Sequence, residues 1–298
     1  MTLSKRLLIF VPYAWLLVLF LVPFFTVVKI ALSDYAISIP PYTPTFDLSV
    51  GWAGFIDFLS KLDFENFVFL AEDDLYWKTF LSSLKIAVTA TFLTLLVGFP
   101  FAYAIAQAPS EWRPSLVLLV ILPFWTSFLI RVYALIGILS NEGFLNQFLM
   151  WTGLISEPLV IMNTDIAVYI GIVYAYLPFM VLPIYATLDK LDGSLLEAAQ
   201  DLGCTRIQAF WSVTIHLAKP GVIAGCFLVF IPTLGEFVIP SLLGGARTLM
   251  IGKVLWEEFF ANRDWPVASA VAVILLLILI IPIVLFQRNE QKLREQNQ

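Results

Sequence analysis

Long apolar runs with almost no charge, separated by short polar stretches, organise this chain. They cover Leu7–Val28, Ile86–Ala106, Ser115–Leu139, Ile166–Leu188, Gly221–Leu243 and Pro266–Phe286. Each is long enough to cross ~30 Å of hydrocarbon as a helix rising 1.5 Å per residue. The pattern therefore predicts an all-α polytopic membrane protein with six transmembrane helices, folded as a single transmembrane domain over residues 1–298. The first run follows Lys5 and Arg6 and has no small-residue cleavage site after it. It reads as a retained membrane helix rather than a secretory leader.

Two of the polar stretches are long. Residues 29–79 begin with Pro40, Pro41 and Pro44, which favours extended backbone. The later part, Phe55–Leu75, is aromatic and acidic and suits a segment lying on the membrane surface or packed on the spans. Residues 189–220 contain LDGSLLEAAQDLGCTRIQAFWSVTIHLAKPG. Ser194 stands three residues before Glu197, the spacing of a capping box, and predicts a short helix over Leu195–Leu202. Gly203 is placed to end it in the left-handed conformation. Thr205 is placed to cap a second helix from Arg206 to about Leu217, and Pro220 and Gly221 then open the next run. Ala198 and Ala199 make a small-residue face flanked by Glu197 and Asp201. Small side chains admit close backbone approach and carboxylates offer pairing to arginines, so this helix has the character of a docking knob.

Composition sharpens the class. Apolar residues make up 60% of the 298 positions and charged residues 13%, against about 45–50% and about 25% in soluble domains. Nine basic residues (Lys5, Arg6, Arg113, Lys190, Arg206, Lys219, Arg288, Lys292 and Arg294) fall on the side of the termini. Six (Lys29, Lys61, Lys78, Arg247, Lys253 and Arg263) fall on the other. The positive-inside rule then puts both termini in the cytoplasm. Eight acidic residues between Asp34 and Asp74 would concentrate cations outside. A net charge of −5 argues against nucleic-acid binding. Two cysteines, Cys204 and Cys226, and one histidine, His216, are too few for a disulfide framework, a histidine-based metal site or a Ser-His-Asp triad. No catalytic, cofactor-binding or metal-binding residues are expected.

EAAQDLG followed by KPG resembles the EAA loop of ABC importer permeases, whose pattern is E-A-A-x-x-x-G and a downstream proline-glycine. The match falls on Glu197, Ala198, Ala199 and Gly203, with Asp201, Leu202, Lys219, Pro220 and Gly221 also fitting. The approach His216–Lys219 departs from the Leu-Pro of many members. RVYALIGIL, YIGIVYAYLPFMVLPIY, GEFVIPSLLGG and NRDWPVASAVA are similar to the polyamine (spermidine/putrescine) branch, nearest to its putrescine permease subunits. The resemblance covers nearly the whole chain. It implies a type I ABC importer permease in the bacterial inner membrane. Such a subunit pairs with a homologous permease, sits on two ATP-binding subunits and receives substrate from a periplasmic polyamine-binding protein. It also implies that the EAA helix, through Glu197, Ala198, Ala199, Asp201 and Gly203, enters a groove on an ATPase. The chain has no G-x-x-x-x-G-K-[ST] sequence, so ATP would be bound by the partners, and the chain is not itself an enzyme.

Glu236 is the candidate substrate contact. A charge at the centre of a membrane helix costs roughly 2.5–3.5 kcal/mol, so such a carboxylate faces protein or water. Pro232, Gly235 and Pro240 surround it, and broken helices at membrane depth line cavities. A carboxylate, open carbonyls and aromatic faces suit an ammonium. Trp125, Tyr133, Tyr174, Tyr176, Phe179, Phe230 and Phe237 lie on the inner runs; Phe230 and Phe237, within two turns of Glu236, are the first candidates, and Trp125 and Tyr174 follow. The alternative is an Arg131–Glu236 ion pair, since counting from the run ends places both at the same depth within ~2 Å. Other substrates on the same fold (Fe³⁺, sulfate, thiamine) remain open, although Glu236 fits sulfate badly. A secondary transporter has no use for a docking knob, and no paired catalytic groups support a membrane enzyme.

Overall fold

The computed structural model describes residues 3–45 and 51–296. In chain order the elements are α1 (Leu3–Ala31), β1 (Asp34–Tyr35), β2 (Tyr42–Thr43), α2 (Gly51–Ser60), α3 (Glu65–Glu72) and α4 (Asp74–Gln107). There follow α5 (Arg113–Ile121), a 3₁₀ turn over Leu122–Trp125, α6 (Phe128–Leu139), α7 (Phe144–Trp151), α8 (Asp165–Leu188) and α9 (Ser194–Asp201). The remainder is α10 (Arg206–Ala209), α11 (Ile215–Leu234), α12 (Val238–Leu242), α13 (Ile251–Trp256) and α14 (Trp265–Gln296). Among the described residues, five helical stretches are long and apolar enough to span a membrane: Phe10–Ala31, Asp74–Gln107, Phe128–Trp151, Asp165–Leu188 and Arg206–Leu234. Arg113–Trp125 and Trp265–Ile281 are shorter apolar helices.

Four of the six apolar runs are continuous helix and two are broken. The run at 115–139 does not cross as one helix. Pro123 has no N–H to donate and crowds the carbonyl four residues back, so α5 passes into one 3₁₀ turn and stops. Thr126 is extended (φ −99°, ψ 153°), and its hydroxyl donates back to the Pro123 carbonyl at 2.7 Å. The run at 221–243 breaks after Leu234, where Gly235 and Phe237 leave helical geometry before α12 begins. Conversely, the expected opening of a new helix at Pro220 does not occur. Helix runs from Arg206 through a π-turn at Phe210–Thr214 into α11, with Pro220 inside it. Neighbouring groups tolerate proline inside membrane helices.

The chain clusters into two compact units, one made of the segments up to Lys78 and from Val254 onward, the other of Thr79–Lys253. In the first unit α1 and α3 pack on α14. β1 and β2 pair antiparallel as a two-residue ladder, as the prolines predicted. The Asn66 amide donates to the carbonyls of Ala31 and Ser33 at 3.0 and 2.8 Å, tying α3 to the end of α1. The expected surface segment is therefore helical and anchored. The oxygens of Asp34, Asp63 and Glu65 lie within 4.8 Å of one another and are exposed.

In the second unit α8 is the central element and α11 packs along it. Ile172, Val168, Ile239, Leu243 and Met250 form one fully buried cluster. Met180, Val181, Ile184 and Val229 form another. The α8 helix can be buried on several faces because its run is apolar all round.

Candidate functional site

A cavity of about 380 Å³ lies within the second unit. Three separate pieces of chain wall it. The 3₁₀ turn and α6 contribute Phe124, Phe128 and Arg131; α8 contributes Ala175, Tyr176 and Phe179; the break after α11 contributes Pro232, Gly235, Glu236, Phe237 and Val238. Phe128 and Arg131 are three apart on α6 and share one face, as do Tyr176 and Phe179 on α8, while Phe124 comes from the 3₁₀ turn before the break. The ring of Phe124 meets that of Phe179 edge-on at 5.1 Å, and Phe179 lies 6.0 Å from Tyr176.

Glu236 is 7% exposed. One carboxylate oxygen accepts from the backbone N–H of Val238 at 2.9 Å and of Ile239 at 3.4 Å. The other accepts from the Tyr176 hydroxyl. Glu236 thus supplies acceptors to the first N–H groups of α12, which have no partner within that helix. Pro240 in the same turn has no N–H to satisfy. The break is held from behind by Gly252, where a Cβ would stand 2.3 Å from the Gly235 carbonyl oxygen, so a side chain there would push the backbones apart. A carboxylate accepts at about four sites. Three are used, which leaves spare capacity on the oxygen that Tyr176 reaches.

Arg131 is 8% exposed, and Glu236 is the other charged residue on the cavity wall. The anticipated ion pair between them is not formed: among the described residues no contact of 4.0 Å or less joins them. Tyr176 and the α12 backbone occupy the carboxylate instead, and the guanidinium lies over the rings of Phe124 (5.2 Å) and Phe128 (5.6 Å). Counting from run ends placed the two residues at one depth, and they do share one cavity. Each reaches it from a helix break, however, and not from the middle of a continuous span.

Of the four aromatic residues singled out from sequence, Phe237 lines this cavity and Phe230, Trp125 and Tyr174 do not. Trp125 is 74% exposed. Tyr174 points to a separate apolar cavity of about 290 Å³ with Pro123 and Leu116. Tyr176 and Phe179, named among the inner-run aromatics without being singled out, line it instead, together with Phe124 and Phe128, which the sequence reading did not name. The three-residue spacing of Phe128 and Arg131 was the available signal, and it does not show that Phe124, across the break at Thr126, joins them.

The segment 189–206 is built differently. The α9 helix has no buried residue, and Glu197, Ala198, Asp201 and Gly203 are exposed while Ala199 is half-buried. Ser194 is not the cap that its spacing implied. Gly193 holds that position, and the Asp192 carboxylate accepts from the Ser194 N–H at 3.0 Å. That bond holds the Asp192 carboxyl below its ordinary value. Gly203 has φ +90° and ends α9 as expected. Thr205 forms a full capping box with Gln208 at the start of α10. The base of the loop is braced by Arg113, which reaches Asp189 at 2.8 Å and the Ala108 carbonyl at 2.9 Å.

Residues 97–295 match the family described as binding-protein-dependent transport system inner membrane component. The chain belongs to that family. It is a multi-pass inner-membrane transport component and not an enzyme. Among its relatives is the spermidine/putrescine transport system permease protein PotB of Escherichia coli (strain K12), 43% identical over 244 residues, covering 82% of this chain and 88% of that protein. PotB of Haemophilus influenzae is 44% identical over 222 residues, covering 74% of this chain and 78% of the other. In fold the chain is similar to a bacterial ABC transporter involved in the import of the acidic polysaccharide alginate (TM-score 0.63, 19% identity, 97% of this chain and 95% of that one). It is also similar to the MetNI methionine ABC transporter (TM-score 0.55, 15% identity, 72% and 94%). The architecture is that of a type I ABC importer permease.

Proposed function

We propose that this chain is a permease subunit of an ATP-driven polyamine importer, and that Glu236 receives one ammonium group of the substrate. The observation that carries the reading is a buried carboxylate, with spare acceptor capacity, in an aromatic-walled cavity beside a helix break. Ammonium groups are bound by such a combination of anion and ring faces. The 43% identity to a protein named for spermidine/putrescine transport supports the same substrate class.

In this reading the chain pairs with a homologous permease, and a periplasmic polyamine-binding protein delivers substrate to them. Two ATP-binding subunits lie on the cytoplasmic side and hold the ATP. Both termini are cytoplasmic, in accord with the basic residues counted above. The α9 helix is the ATPase contact: Glu197 and Asp201 present carboxylates, Ala198 and Ala199 admit close approach, and Gly203 turns the chain back. The stroke of the ATPases then reaches the bundle through the loop braced at Arg113 and Asp189.

The test is ATP-dependent uptake of labelled putrescine and spermidine by the complete complex in proteoliposomes. Wild type should accumulate both. E236Q should lose at least about tenfold in uptake, the scale of a lost charged hydrogen bond, while still assembling with the ATPase. Uptake at the wild-type rate by E236Q would remove the assignment.

A further inference from the structure

Arg131 is a buried cation whose surroundings are unlike those of a structural arginine. Its Nε and Nη1 are buried and make no hydrogen bond. Buried donors are ordinarily paired, and an unpaired one calls for a reason. An arginine placed to neutralise Glu236 would bridge to it, and one placed to pack would cap carbonyl oxygens. This side chain does neither. Its guanidinium lies over Phe124 and Phe128, 5.2 and 5.6 Å from the two ring centroids. Glu236, on the wall of the same cavity, is engaged by Tyr176 and by the backbone of α12. The cavity therefore already contains one cation, seated on its aromatic faces, and that cation leaves the carboxylate open.

We propose that Arg131 is a specificity-determining residue: a tethered cation that holds the Phe124–Phe128 seat and must be met or displaced by an incoming ammonium. This rests on the reading that the Glu236 cavity takes an ammonium. Two consequences follow from charge alone. Occupying the seat raises the concentration of substrate needed to fill the cavity. Repulsion between Arg131 and the substrate's other ammonium groups falls with distance and adds over charges, so spermidine, whose second ammonium is no farther from the first than putrescine's and which carries a third, is penalised more. The two unpaired nitrogens give the displaced guanidinium donors to offer to Glu236 or to water as it moves.

The experiment measures KM and the maximal rate of uptake for putrescine and for spermidine in proteoliposomes holding the complete complex. It compares wild type, R131Q and R131K. R131Q is expected to lower KM by about tenfold, the scale of a desolvated cation–π contact, more for spermidine than for putrescine, with no gain in maximal rate. R131K, which keeps a tethered cation, is expected to stay near the wild-type KM. Unchanged KM in R131Q would overturn the proposal, as would R131K behaving like R131Q or failure of R131Q to assemble with the second permease. Loss of uptake in E236Q together with unchanged KM in R131Q would remove this proposal and leave the cavity reading intact. Normal uptake in E236Q would remove the cavity reading itself.

Discussion

Two glutamates in this chain sit in opposite circumstances. Glu236 is buried, and backbone and side-chain donors from within the chain engage it. Glu197 is exposed on a helix that buries nothing, and its carboxylate has no hydrogen-bond or ion-pair partner among the described residues. A carboxylate withdrawn from water must be satisfied where it stands, because an unpaired buried charge costs several kcal/mol. An exposed one carries no such requirement and stays available. The buried carboxylate is therefore engaged largely by its own chain, whereas the α9 carboxylates are left exposed, as the proposed ATPase contact requires.

The sharpest way to break this contrast is at α9. The double variant E197R with G203P reverses a charge and removes the left-handed turn, since proline cannot adopt φ +90°. It is expected to abolish co-purification with the ATPase and to reduce uptake to background. Its thermal midpoint should stay close to wild type, because α9 contributes nothing to the buried core. Retained co-purification would end the docking assignment.

A smaller and opposite effect is expected inside the cavity. Y176F deletes one donor to Glu236 and should cost about 1.5–3 kcal/mol, the range for a hydrogen bond to a charged group. That cost would be read as a lowered thermal midpoint, with ATPase docking unchanged. A midpoint equal to wild type would mean that the phenol does not support the carboxylate.

The smallest effect belongs to the cap of α10. T205A removes the side-chain acceptor of the capping box, worth about 1 kcal/mol. Hydrogen exchange over residues 206–212 should speed up several-fold, while the cavity and its amine affinity stay as they are. Unaltered exchange would show that the turn does not depend on its cap.

The helices α1, α4, α8 and α14 were legible in the sequence because lipid imposes a one-dimensional rule. A run of some twenty residues without charge has no better place than the hydrocarbon, whatever the rest of the chain does. The α9 loop was legible for a similarly local reason, since Gly203 and Thr205 act within a few residues of themselves. Local signals also misled. Ser194 has the spacing of a cap, but Asp192 supplies the acceptor. Pro220 looked like a helix start, but the helix passes through it. Pro123 was hidden in a run that otherwise reads as one span.

The sequence by itself determined that this chain crosses a membrane several times, that a carboxylate and a guanidinium lie in its apolar runs, and that an acidic, alanine-faced stub follows α8. Only the tertiary structure decided who satisfies whom. Tyr176 stands 60 residues from the glutamate that it donates to, and of the rings under Arg131 one, Phe124, belongs to the turn that contains Pro123 and the other, Phe128, to α6. Desolvation makes every buried charge need a partner. That need is local, but the choice of partner depends on which side chains arrive from distant helices, and helix packing alone sets that.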